Sequence, residues 1–278
     1  MSFLFPRGAS SAHRHGPLGL WFCNCAGAPV VPAEGGGAAV APIRAPIVLR
    51  GKRARTVDVH GHCYFQAALD LMGAEAKAML PPVKGVPEHF LQDDGPLRTR
   101  LAEMDRMGLD MQVLSINPFW YRKDRETAEA ICRIHNEGLA ELCARHPRRL
   151  AGFASLPLQF PDLAVAVLDE AVRKLGLKGA AIGGSVAGED FCQPAYHPVL
   201  AKAQELGAML FVHPQSTPEL AARFKGNGWL SNVIGNPLDT TIALQKLIFE
   251  GVFDRFPDLK VLGAHGGGFL GSYAPRMD

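Results

Sequence analysis

The sequence predicts an α/β protein of the TIM (β/α)8-barrel type, and three observations predict it. From Thr56 onward, short β-rich apolar runs alternate with amphipathic helical stretches, an order that pairs strands in parallel through right-handed crossovers. No GxGxxG follows the first run, so the dinucleotide-binding form of an open doubly wound sheet lacks its fingerprint. Four histidines, His60, His62, His213 and His265, stand at the ends of three of these runs. Barrels of this class gather their reactive groups at the C-terminal ends of the strands.

The first strand is read over Thr56–His62, within TVDVHGHCYF. Strand side chains alternate between faces, so Asp58, His60 and His62 leave one face and Val57 and Val59 the other. Two neutral imidazoles side by side are half of a divalent-metal site, and Gly61 between them removes a side chain that would crowd an ion. The same spacing suits a polar pair at a strand end, and the rest of the chain must decide. A loop-rich insertion (81–96) leads to a helix over 97–107, with Leu97, Leu101 and Met104 on one face and Gly108 as its stop. MQVLSI (111–116) is the second strand. The helix within 124–145 repeats apolar residues at Ala128, Ile131, Ile134, Leu139 and Leu142 before His146-Pro147 closes it.

LAGFASL (150–156) is the third strand. Pro161 opens a helix buried along Ala164, Val167, Leu168, Ala171 and Leu175 and ended by Gly176. GAAIGG (179–184) is the fourth strand, followed by a helix over 197–206 that Gly207 terminates, and AMLFVH (208–213) is the fifth. Asn236 caps and Pro237 opens a helix carrying Ile242, Leu247 and Ile248, and LKVLGAH (259–265) is the sixth strand.

Composition narrows the function. With 278 residues, 47 % of them apolar, the chain can bury a large single core. A formal net charge of +2 gives no electrostatic ground for a nucleic-acid or anionic-membrane partner. No run approaches the roughly 18 apolar residues of a membrane span. Six cysteines without CxxC spacing point to reduced thiols in the cytosol, and Cys63 is read as a packing residue on the face opposite His62. Residues 1–55, rich in Gly, Ala and Pro, are read as a poorly ordered arm. Its GPLGLWFCNCAGAP segment is too interrupted, by Pro17, Asn24 and Pro29, for a signal-peptide core. His13, His15, His89, His135, His146 and His197 fall in the arm, loops or helices, where a solvated role is the default.

VDVHGH, LAEMDRMGLDMQVLS, HPRRLAGFASLPLQFPDLAVAVLDEAV, FVHPQ, GVFDRFPDLKVLGAHGGGF and RMD together resemble the amidohydrolase superfamily over about 56–278. The similarity is to the branch with aminocarboxymuconate-semialdehyde, resorcylate and vanillate-type decarboxylases. It implies that His60, His62 and His213 bind one divalent ion, zinc first and manganese second. His265 is implied to polarise substrate or assist proton transfer, and HGGG to let backbone approach the bound molecule. The loop NPFWYR (117–122) then offers Phe119 and Trp120 as faces for a planar ring and Arg122 for a carboxylate. The expected reaction is non-oxidative decarboxylation of an aromatic or muconate-like acid, by a protein that tends to dimerise. Hydrolysis of a lactone or amide uses the same constellation and is the alternative.

Two departures qualify the resemblance. The substrate-binding arginine of the muconate decarboxylases has no counterpart in PEHFLQDDGP. The metal-binding aspartate that the family places after strand eight, in a GSDYP-like motif, has none either, and Asp278 belongs to a different segment. The reading is therefore of a barrel truncated after about six βα units, with a catalytically silent homologue as a further alternative. Asp58 is read either as a supporting acceptor for a histidine or as a structural aspartate.

Overall fold

A computed structural model of the chain describes residues 14–15, 20–23, 47–74, 95–215 and 217–276. Most of the expected arm and of the 81–96 insertion lies outside the described residues, as do His13, His89, Cys25 and Asp278. The chain divides into two compact units, Met1–Val113 with Arg148–Leu150, and Leu114–Pro147 with Ala151–Asp278.

In the first unit, β1 (Arg14–His15), β2 (Leu20–Cys23), β3 (Val48–Leu49) and β4 (Lys52–Arg53) precede the long strand β5 (Val57–Phe65). Helices α1 (Gln66–Met72) and α2 (Gly95–Met107) follow, then β6 (Met111–Ser115), which enters the unit with 111–113. β3 and β4 form a hairpin whose two turn residues, Arg50 and Gly51, have φ of 50° and 75°. Both are left-handed, as a two-residue turn matching the strand twist requires. β2 pairs antiparallel with β5, setting Leu20 opposite Phe65 and Cys23 opposite His62 along the backbone. The sheet order is β1-β2-β5-β6-β7, with β7 (Leu150–Gly152) represented in this unit by Leu150.

β5 runs three residues past its expected end because Cys63, Tyr64 and Phe65 are all buried. Its early odd positions, Val57 and Val59, are exposed. Along α2, Leu97 and Met104 are buried as the periodicity requires, but Arg100 shares the stripe at 6 % exposure. Gly108, at φ 69°, ends the helix.

The second unit holds a parallel sheet ordered β13-β12-β9-β8, from β8 (Ala154–Ser155), β9 (Gly179–Ile182), β12 (Met209–Val212) and β13 (Lys260–Gly263). The small hairpin of β10 (Ser185–Val186) and β11 (Glu189–Asp190) follows β9. Helices α3 (Arg125–Arg145), α4 (Pro161–Arg173), α5 (His197–Glu205) and α6 (Asn236–Phe249) fall where the apolar period places them. Short helices α7 (Val252–Arg255) and α8 (Leu270–Tyr273) flank β13. Asp124 caps α3 by accepting from the Thr127 N–H at 2.9 Å. α4 opens on Pro161, whose missing N–H costs nothing in a first turn. No helix among the described residues is long and apolar enough to cross a membrane.

Three local expectations change. The expected third strand breaks at Phe153, and Asn136 of α3 repairs the break. Its amide accepts from the Ser155 N–H at 2.7 Å and donates to the Ser155 carbonyl at 3.1 Å. The α3 stripe consequently passes through His135 and Asn136, while Ile134 is only half-buried. His135 is fully buried rather than solvated, with Nδ1 3.1 Å from Ser155 Oγ, and burial pushes its pKa down to about 3, so it stays neutral. Asn236 is not a cap, because a π-turn over Ser231–Gly235 runs directly into α6. Along α6, Ile242 and Ile248 are exposed, and Asp239, Thr240 and Thr241 are buried with Leu247.

Candidate functional site

In the first unit, His60 is half-buried and His62 is 2 % exposed. Their Nε2 atoms lie 3.0 Å apart and the rings meet nearly edge-on, at 87°. At that separation a neutral pair shares one proton-bearing nitrogen and one lone pair. Two imidazoles bound about 2.1 Å from one ion stand about 3.0–3.4 Å apart for right-angled to tetrahedral geometry. The spacing and donor type therefore fit a divalent ion.

The backbone under the pair is fixed by a buried polar chain. Asp58 Oδ1 accepts from the His60 backbone N–H at 3.0 Å, and its Oδ2 accepts from Gln112 Nε2 at 2.5 Å. Gln112 Oε1 in turn accepts from Arg100 Nε at 2.7 Å. Burial lowers the Arg100 pKa, opposed by the charges of Glu103 and Asp58. Asp58 thus braces the backbone of the strand. Gly61 serves this chain as well: a Cβ there would meet Gln112 Cδ at 2.6 Å, so the glycine makes room for Gln112 rather than for an ion. Gln112 and Arg100 escaped the sequence reading. The available signal was a polar residue inside an apolar strand and a cation on the apolar stripe of a helix.

In the second unit, His213 and His265 follow the neighbouring parallel strands β12 and β13, and the ladder continues past both strand ends. His213 N–H donates to the Ile182 carbonyl at 2.8 Å, and Ala264 N–H to the Val212 carbonyl at 3.0 Å. The two rings lie 5.8 Å apart between centroids. His213 is 6 % exposed, and its Nδ1 lies 3.0 Å from the Pro214 carbonyl. A carbonyl can only accept, so Nδ1 carries the proton and Nε2 keeps its lone pair, the tautomer of a metal ligand.

His265 is exposed and left-handed, at φ 52°, and it starts a run in which Gly266, Gly267 and Gly268 also have positive φ. A left-handed non-glycine residue is uncommon and concentrates at functional turns. The three glycines divide their work. Gly266 has open space beside it, whereas a Cβ on Gly268 would collide with the Pro237 carbonyl and Thr241 Oγ1 at the start of α6.

The 117–122 loop is corrected in part. Trp120 is fully buried: its indole N–H donates to the Leu156 carbonyl at 2.9 Å, and its ring packs edge-on against His135. Its apolar bulk and single donor are both used in the core, so it is not a rim residue. Tyr121 is buried too, its hydroxyl accepting from the Gly183 N–H at 3.1 Å. Phe119 is half-buried and Arg122 exposed. His197 is taken up by the Cys192 carbonyl, Arg255 and the Phe256 ring.

Asp239 is a buried carboxyl that the sequence did not single out. It accepts from the Gln215 N–H at 2.8 Å, two residues after His213, while the Gln215 amide donates to the Pro118 carbonyl. A Cβ on Gly184 would lie 2.6 Å from both Asp239 oxygens. Burial pushes its pKa up to about 6, against the lowering effect of the Gln215 hydrogen bond and with a small upward push from Glu219. Because the folded pKa exceeds the unfolded one, the stability its neutral form contributes is present below about pH 4 and lost as pH rises through about 6. Asp239→Asn keeps an acceptor for Gln215. Urea unfolding should show it more stable than the parent at pH 7.5, by no more than about 3 kcal/mol, with the gain gone near pH 4.

Comparison with known proteins follows the same lines. The pattern of the family described as Amidohydrolase matches residues 57–277. A 2-amino-3-carboxymuconate-6-semialdehyde decarboxylase of Dictyostelium discoideum is 35% identical over 172 residues, covering 61% of this chain and 47% of that protein. The chain spans about half the length of that curated relative. Among solved structures, the 5-carboxyvanillate decarboxylase of Sphingomonas paucimobilis superposes with a TM-score of 0.69 at 26% identity, over 80% of this chain and 70% of that one. A dihydroxybenzoic acid decarboxylase of Polaromonas sp. JS666, with bound manganese and the inhibitor 2-nitroresorcinol, gives a TM-score of 0.58 at 31% identity, over 68% and 62%. The α/β fold is the one these decarboxylases share.

Proposed function

We propose a function from one premise: the chain belongs to the amidohydrolase family. On it, the protein is a metal-dependent, non-oxidative decarboxylase of an aromatic or muconate-like carboxylic acid, its strands being units of a (β/α)8 barrel. The observation that carries the reading is the His60–His62 pair with Nε2 atoms 3.0 Å apart on a strand braced by Asp58, Gln112 and Arg100. The kinship with decarboxylases supports the choice of reaction.

His60, His62 and His213 are the proposed ligands of one divalent ion. When bound, such an ion supplies Lewis acidity toward a carboxylate and an adjacent oxygen. The chain's own residues do the rest. His213 presents Nε2 because Pro214 holds the proton on Nδ1. His265, left-handed and exposed, delivers or accepts a proton at the substrate carbon that loses carbon dioxide. Arg122 offers its exposed guanidinium to the substrate carboxylate and Phe119 a ring face. Zinc is the reading from nitrogen ligands; manganese is present in the Polaromonas relative. We read the protein as a cytosolic homodimer, in keeping with the free thiols Cys63, Cys132, Cys143 and Cys192.

The test is a mixed panel of hydroxybenzoates, a carboxyvanillate, a muconate semialdehyde, lactones and amides, offered to protein loaded with zinc or manganese. The expected result is carbon dioxide release from a hydroxybenzoate-type acid. Turnover confined to lactones or amides would overturn the proposal.

A further inference from the structure

The N-terminal ends of the first unit's strands carry a groove that the proposed reaction does not use. Arg53 and Arg55 lead into β5, Gly108–Asp110 into β6, and Arg148 and Arg149 into β7; with Asp105 they line an open cavity of about 570 Å³. His60 and His62 lie further along, at the middle of β5. Four guanidiniums meet two carboxylates in the groove, leaving an excess of two positive charges.

The four arginines are not equivalent. Arg53 is tied to Asp110 at 2.7 Å, and Arg149 to Asp105 at 2.7 Å. Arg149 is further fixed by donating to the carbonyls of Asp110 at 3.0 Å and Leu109 at 3.2 Å. Asp110 is firmly ionised, its pKa brought down to about 2 by the Thr56 backbone N–H and by Arg53. These two pairs form a rigid wall. Arg55, by contrast, reaches only neutral acceptors among the described residues, the Arg148 carbonyl at 3.5 Å and the Met111 sulfur at 3.7 Å. The Arg148 side chain makes no hydrogen bond among the described residues, and both side chains are exposed.

We propose that this groove binds a small phosphate-bearing anion, with Arg55 and Arg148 as the two forks that grip it. Planar guanidinium forks match the oxygens of a phosphate. A concave site with an excess of positive charge favours a small anion, and the volume lies within the range of small-molecule sites, roughly 300–1,000 Å³. A nucleic acid would need a basic stripe, and a chain of net charge +2 does not supply one. No histidine lines the groove, so its failure leaves the metal reading standing.

The experiment titrates inorganic pyrophosphate into the whole protein by calorimetry, against sodium chloride at equal ionic strength. The parent is compared with Arg55→Ala/Arg148→Ala and with Arg173→Ala, which removes an arginine elsewhere. The expected result is saturable one-to-one binding that weakens about tenfold or more in the double variant and is unchanged in Arg173→Ala. Equal affinity in parent and double variant, or an effect that chloride reproduces, would overturn the site. If the double variant does not fold, Arg148→Ala alone decides, since it removes no hydrogen bond: unchanged affinity sinks the proposal and weakened affinity sustains it.

Discussion

Replacing His213 with alanine should leave the protein without stoichiometric metal. His213 is 6 % exposed and held in one tautomer by Pro214, which fixes its Nε2 as a ligand atom. Changes to groups that merely support a ligand cost about 10- to 100-fold in metal affinity, and loss of the ligand itself should cost at least the upper figure. Elemental analysis after dialysis gives the occupancy, and calorimetric titration with zinc or manganese gives the affinity. Full occupancy in His213→Ala would show the ligand assignment to be wrong, whatever the activity.

Trp120→Ala should lower the unfolding free energy by about 3–5 kcal/mol, the range for deleting a fully buried aromatic side chain. The loss has two parts. The cavity forfeits the packing against His135 and Tyr121, and the Leu156 carbonyl loses the indole donor at 2.9 Å. Arg122→Ala, two residues away and exposed, should stay within about 0.5 kcal/mol of the parent. Urea unfolding of the two variants separates the readings of this loop. A near-zero change in Trp120→Ala would restore the indole to the rim, as a residue available to substrate.

The comparison between Trp120 and its neighbours shows what a sequence can carry. Strand periodicity puts His60 and His62 on one face, and the βα alternation puts His213 and His265 after strands; both are properties of short segments. Whether an aromatic in a loop faces a substrate or the core depends on what stands opposite it. For Trp120 that is His135 from α3 and the Leu156 carbonyl, contacts made across 15 and 36 residues of sequence. The same holds for His135, which looks solvated on a helix until the break at Phe153 brings Ser155 to it. Asp239 reads as an ordinary first-turn acid, but its burial depends on Gln215 and Gly184 packed against it from other segments. Gln112 and Arg100 were visible as polar residues in apolar company, but their purpose needed Asp58 beside them.

The alternation along β5 has an evolutionary consequence. Val57 and Val59, 46 % and 39 % exposed on one side of the strand, can drift among β-branched residues without disturbing the histidines on the other. Further along the same side Gly61 is pinned by the Gln112 side chain, and Cys63 and Phe65 are buried. The strand is thus written in two interleaved hands. Its exposed odd positions, Val57 and Val59, record only what the surroundings tolerate, so homologues could diverge at these two while the histidines stayed the same.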